Sequence, residues 1–310
     1  MVFLQLFKKI LCCLAFSCSV FLALPATAVE HIAPPALSSI ENSDIERLLP
    51  NAEIKPILAG DTEFLSLYSE YMSSNFRGVV LLIPDWHSVP TNNSGMSFLR
   101  KELNNLGYTT YAMTVPDIDW QAEKMKPVTP TDAVETPTSD ESKSDANEPE
   151  KQSAEPHYVN AIEPVNNDVL EDYKTNLILR YEALYQTAMA EPSNIVVIAQ
   201  GASAGMLLEY YADFPESKIN AFVSLSSYLP NAQRNEELSQ ATSLVAPALL
   251  DIYYTNDSTD ILLSLKNRKR WVNRNAKFDY RQRQLFGMRN APQQHARLSK
   301  EIDGFLRRLF

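Results

Sequence analysis

The residues in this sequence best suited to covalent chemistry are Gly201-Ala202-Ser203-Ala204-Gly205. They fit the pattern G-x-S-x-G, in which a tight strand-to-helix turn pushes a serine hydroxyl outward as a nucleophile. Such a turn packs backbone against backbone, so its flanking positions tolerate no Cβ. A serine hydroxyl attacks only when a histidine takes its proton and an acid orients that histidine. Two residues downstream suit those roles. Asp257 follows the apolar run Pro247–Tyr254, and His295 opens the last amphipathic segment. In this register Ser203 attacks, His295 is the base and Asp257 orients it. The Ala204 N–H and an N–H from the loop holding Trp86 and His87 would bind the oxyanion. A second register is open: Ala199-Gln200-Gly201-Ala202-Ser203 also has the small-x-nucleophile-x-small form, and Ala199 directly follows the strand residue Ile198. There Gly201 holds the nucleophile position, and no nucleophile is present.

Other chemistries find little purchase. No two histidines lie within one helical turn, and H-E-x-x-H is absent, so no metal site is expected. The glycine cluster has neither the Lys-Ser/Thr end of a phosphate loop nor a dinucleotide spacing. No cofactor is expected. All three cysteines, Cys12, Cys13 and Cys18, fall in the first 28 residues.

That first stretch pairs Lys8-Lys9 with an apolar run from Ile10 to Leu24 and the exit Ala26-Thr27-Ala28. The order describes a cleavable secretory signal, and the run is short for a bilayer core about 30 Å thick. Cleavage after Ala28 would leave 282 residues in the periplasm, without cysteine and without a transmembrane segment. It would also leave 26 basic and 38 acidic residues, a net charge near −12. Such a surface disfavours nucleic acid and anionic lipid as partners. The basic residues nevertheless gather late, from Lys266 to Lys277 and at Arg281, Arg283 and Arg289.

The elements that must position the site follow in order. Ser43–Leu49 reads as a helix stopped by Pro50, and Asp61–Met72 as a packing helix or a hairpin. Val79–Ile83 is a continuous apolar run of the kind buried on both faces of a parallel sheet. Leu99–Leu106 with its terminal Gly107 is a helix, and Tyr108–Val115 the next strand, which completes a right-handed β-α-β unit. Pro127–Pro156 holds no aromatic residue, Leu, Ile or Met and is expected to be disordered. Asp168–Ala190 is a long helix with Leu170, Tyr173, Leu177, Tyr181, Leu184 and Tyr185 on one face. After the Ile195–Ile198 strand come strands at Ile219–Leu225 and Pro247–Tyr254, a helix at Asp260–Lys269 and an edge strand at Phe278–Leu285. A final helix spans Gln294–Phe310, with Leu298, Ile302, Phe305, Leu306 and Leu309 inward. The organisation is a signal peptide at 1–28, a first half-domain at 29–126, a disordered insertion at 127–160 and a second half-domain at 161–310.

This order is that of an α/β-hydrolase: α/β class, with a mostly parallel central sheet flanked by helices and here interrupted by the insertion. From about Leu48 onward the chain also resembles a family of exported bacterial proteins known only as domain of unknown function thirty-five thirty. The resemblance lies in Leu49-Pro50-Asn51-Ala52-Glu53, Asp61-Thr62-Glu63-Phe64, Arg77–Trp86, Thr114-Val115-Pro116-Asp117, Pro247–Tyr254, Tyr280-Arg281-Gln282 and Gly304-Phe305-Leu306. It implies the hydrolase-like fold and no reaction, and its glycine-rich elbow aligns Gly201 with the nucleophile position. Two functions follow. One is a serine esterase or acyl hydrolase acting on a small-molecule acyl substrate. The other is a catalytically inactive hydrolase fold used as a periplasmic binding or envelope-associated module, with Trp86 and Trp120 in a ligand patch.

Overall fold

Eight strands form one sheet in the order β1-β2-β4-β3-β5-β6-β7-β8. The computed structural model describes residues 36–118, 165, 167–190, 193–214 and 219–310. The expected leader, the whole insertion at 127–160 with its Pro127–Pro156 tract, and Trp120 lie outside the described residues. Leu37–Phe310 forms one compact unit.

The strands are β1 (Ile54–Ala59), β2 (Thr62–Ser69), β3 (Gly78–Ile83), β4 (Tyr108–Met113), β5 (Ile195–Gln200), β6 (Ala221–Leu225), β7 (Ala248–Tyr254) and β8 (Tyr280–Leu285). β1 and β2 are antiparallel to each other, and β2 is antiparallel to β4. From β4 through β8 every pairing is parallel. The apolar runs of β3 and β5 are therefore central and buried throughout.

Side-chain alternation in the strands sorts the core into two layers. Val79, Leu81, Ile83, Val197 and Ala199 face one layer; Val80, Leu82, Val196 and Ile198 face the other. The first layer is closed by α3 (Asn167–Ala188), α4 (Gly201–Asp213) and α5 (Ala232–Leu244). The second is closed by α1 (Leu37–Leu48), α2 (Met96–Asn105) and α8 (Pro292–Leu306). α6 (Thr259–Leu265) and α7 (Arg268–Arg274) connect β7 to β8.

The structure corrects several sequence expectations. Of the two readings of Asp61–Met72, the structure has the hairpin: the pairing Ala59↔Thr62 closes a turn at Gly60, whose φ of 59° is left-handed. α5 was not anticipated. It buries Asn235, Ser239, Thr242 and Ser243 beside Leu238, so it shows no apolar period. The helix expected at Asp260–Lys269 is two helices broken at Lys266-Asn267. Leu309 is exposed, because α8 ends at Leu306.

Candidate functional site

Parallel pairing brings the loops of interest together. Ile83 is in register with Ala199, so Asp85 and Gly201, each two residues further on, leave the sheet side by side. Gln200 pairs with Leu225, and Leu225 with Ile252, so the exits of β6 and β7 lie next in line. This carboxyl-terminal edge is where an open parallel sheet holds its ligands.

Gly201 stands at the apex of the turn. Gln200 is still extended, Gly201 has φ 58°, and α4 begins at once. A Cβ added to Gly201 would lie 2.1 Å from the Asp85 carboxyl carbon. That space is filled because Asp85 Oδ1 accepts N–H bonds from Ala202 at 2.8 Å and from Trp86 at 2.9 Å. These are the N–H of the residue after the apex and an N–H from the loop after β3, the pair that binds an oxyanion in a hydrolase site. Here a side-chain carboxylate of the protein itself holds them. Burial raises the Asp85 carboxyl above its ordinary value, while the two N–H groups and the charge of Arg289 pull it back. The second glycine of the motif has a packing reason: a Cβ on Gly205 would lie 2.3 Å from the Tyr228 carbonyl.

Ser203 lies two residues into α4 and is fully buried. Its Oγ shares a 3.0 Å hydrogen bond with Tyr173 Oη, on α3. Burial pushes the Tyr173 phenol up, so it stays protonated. Ser203→Ala is therefore expected to cost about 1–3 kcal/mol, the penalty for stranding a buried hydroxyl. Ser203→Ala combined with Tyr173→Phe should recover part of that cost. Urea unfolding of the three variants checks it, and a neutral Ser203→Ala would count against the bond.

Asp257 and His295 have other partners. Asp257 Oδ1 accepts Arg289 Nε at 2.8 Å, and Oδ2 accepts the Ser226 hydroxyl at 2.6 Å and the Tyr254 N–H at 2.8 Å. Ser226 itself is left-handed, φ 51°. His295 Nε2 sits 3.1 Å from the Arg289 carbonyl, and its ring packs on Phe98 with centroids 5.5 Å apart. Among the described residues, none of Ser203, Asp257 and His295 hydrogen-bonds another of the three. Arg289 stands between the last two.

The oxyanion assignments divide. The N–H that follows the apex belongs to Ala202, whereas Ala204 is buried within α4. The Trp86 N–H does serve, as the second donor to Asp85. The Trp86 ring is buried rather than exposed as a ligand patch; it meets Tyr173 edge-on at 6.3 Å, and its indole hydrogen-bonds the Tyr228 hydroxyl. His87 lies against Trp86 at 4.4 Å, and burial lowers its pKa. Sequence reasoning missed Asp85, Tyr173, Ser226 and Arg289. An acid two residues past the β3 run was the available signal for Asp85; Arg289 had none.

A cavity of about 430 Å³ beside this cluster is lined by Asn92, Asn93, Ser97, Phe98, Lys101, Glu102 and His295. Asn92 Nδ2 donates a 3.3 Å hydrogen bond to Gln200 Oε1, which ties its loop to the elbow strand, and Gln200 Nε2 donates to the Ser94 carbonyl at 3.2 Å. No group of three or more metal-ligating side chains occurs among the described residues. No helix among them is long and apolar enough to cross a membrane.

Sheet order, helix layers and the left-handed strand-to-helix elbow define an α/β-hydrolase-like protein. The chain belongs to the family described as Protein of unknown function (DUF3530), which matches residues 10–308. Solved structures share the fold. Dienelactone hydrolase from Anabaena variabilis has TM-score 0.55 and 10% identity, over 83% of this chain and 97% of that one. Est1E from Butyrivibrio proteoclasticus has TM-score 0.55 and 8% identity, over 83% and 98%. A putative dienelactone hydrolase from Klebsiella pneumoniae has TM-score 0.51 and 8% identity, over 82% and 96%. No functionally curated protein sequence matches the chain.

Proposed function

We propose that this chain uses the hydrolase fold as a binding module and does not run serine acyl transfer. One observation carries the reading: the Asp85 carboxylate lies over Gly201 and takes both N–H donors that an oxyanion would need. Acyl transfer requires a nucleophile beside an open pair of such donors. With the pair taken and a glycine at the apex, a bound acyl group has no attacker and no place for developing charge. Lys8-Lys9 and Ala26-Thr27-Ala28 support export, which would make this a periplasmic, envelope-associated module.

Esterase activity through Ser203, Asp257 and His295 is the second reading. It is favoured by the chain order of those residues and by a fold shared with a dienelactone hydrolase and with Est1E. A fluorophosphonate probe separates the two. Purified protein is expected to remain unlabelled. Stoichiometric labelling that Ser203→Ala removes would overturn the binding reading and restore the esterase.

A further inference from the structure

Net charge conceals a reversal within this chain. Residues 261–310 hold 13 of the 28 basic residues and 3 of the 38 acidic ones. This last sixth carries +10 while the remainder carries −20. The reversal is sharpest around α7, where Ile261–Phe278 includes six basic residues and no acidic one.

Two of those six are committed internally. Arg268 is fully buried against Asp251, and Lys277 Nζ donates to the carbonyls of Val245 and Pro247 at 2.6 and 2.9 Å. The other four, Lys266, Lys269, Arg270 and Arg274, are exposed. Arg274 covers the Trp271 ring at 5.1 Å. Beyond α7 the chain turns through Ala276 in a left-handed conformation, φ 51°, and leaves Phe278 94% exposed. The Lys277 bonds and a 2.7 Å bond from Asn275 Nδ2 to Ser243 Oγ hold this turn against the end of α5. There Leu244 is 47% exposed.

The geometry points to a docking surface for an anionic lipid bilayer, with Phe278 as the inserted tip and Lys266, Lys269, Arg270 and Arg274 facing the headgroups. Basic side chains ringing exposed apolar ones are the composition of interfacial membrane anchors. Each cation near an anionic leaflet adds attraction that salt weakens. A bilayer suits the charge distribution better than a long polyanion does. A bilayer needs contact only with the basic segment, whereas an extended nucleic acid would run on along a chain that is acidic outside it. Phe278, 94% exposed, offers an aromatic ring that an acyl phase can bury and a phosphate backbone cannot. The surface is separate from the elbow site, so it holds whether or not that site proves catalytic.

The test uses the full chain with Phe278→Trp, which places a fluorophore at the tip. Vesicles of mixed phosphatidylglycerol and phosphatidylcholine with brominated acyl chains are expected to quench the added fluorescence about twofold. Brominated phosphatidylcholine alone should leave it unchanged, and raising salt from about 50 to about 500 mM should remove most of the effect. Adding Lys269→Glu, Arg270→Glu and Arg274→Glu is expected to abolish quenching at unchanged Tm. The readout is local, so membrane binding by the amino-terminal apolar segment cannot imitate it. Absence of quenching, equal quenching by neutral vesicles, or quenching that survives the charge reversals would overturn the proposal. Tighter binding of a single-stranded oligonucleotide than of the anionic vesicles, read by the same fluorophore, would overturn it too.

Discussion

Arg268→Ala is expected to cost about 3–5 kcal/mol, a large share of the roughly 5–15 kcal/mol that holds a domain together. Arg268 and Asp251 are both fully buried. Nη1 reaches the two Asp251 oxygens at 3.0 and 2.9 Å, and the Ser227 hydroxyl at 2.8 Å. Nη2 donates to the Ser227 carbonyl at 2.9 Å and to Ser264 Oγ at 2.8 Å. The Tyr280 hydroxyl completes the set, donating to Asp251 Oδ2 at 2.9 Å. Alanine would leave a carboxylate in the core with only a phenol for company, and desolvation makes that expensive. Lysine should fail as well, since a single ammonium cannot replace a planar fork whose Nη1, Nη2 and Nε serve six acceptors. Asp251→Leu with Arg268→Met should recover much of the loss, because buried pairs are costly mainly when broken. Urea unfolding reads each change. A loss below about 1 kcal/mol for Arg268→Ala would mean that water reaches Asp251 in the folded state.

Gly201→Ser, which would install a serine at the apex, is expected to destabilise the fold by about 2–6 kcal/mol and to give no esterase. A non-glycine residue held at φ 58° costs on the order of 1–3 kcal/mol. The added Cβ also collides with the Asp85 carboxyl group, and overpacking costs a further 1–3 kcal/mol or so. Asp85→Gly in the same chain should relieve the collision and leave the backbone term together with the loss of the acceptor for the Ala202 and Trp86 N–H groups. Such a double variant tests coupling between the two positions, which contact effects place at about 0.5–3 kcal/mol. A stable Gly201→Ser single variant would show that Asp85 swings away freely. Fluorophosphonate labelling of that single variant would show that the oxyanion donors can be vacated.

The central sheet was legible because its signal is local. Val79–Ile83 and Ile195–Ile198 are unbroken apolar runs, and such runs have few uses except as buried parallel strands. α5 was invisible because it packs Asn235, Ser239 and Thr242 inward, where backbone carbonyls satisfy them. For Asn235 and Ser239 that satisfaction is tertiary and leaves no periodic trace. The hairpin at β1 and β2 was one of two readings, since Phe64, Leu65, Leu67 and Tyr68 suit a helix or a half-buried strand alike. At the site, spacing named positions but not partners. Gly201 at the apex was one of two registers the spacing allowed, and the Asp85 carboxylate above it depends on the Ile83↔Ala199 register. Arg289 reaches Asp257 across 32 residues, a distance at which sequence pattern is silent.

The Asp85 carboxylate has a consequence for competition. It is tied to the same chain as the two N–H groups it occupies. Tethered groups act at effective concentrations from millimolar upward, and well-oriented ones far higher. A free carboxylate, such as the acid released by an ester, would have to outcompete that local concentration to enter the same pair of donors. Weak acids at ordinary cellular levels therefore leave the elbow unchanged, and whatever the top of this sheet does recognise must engage it alongside Asp85 rather than in its place.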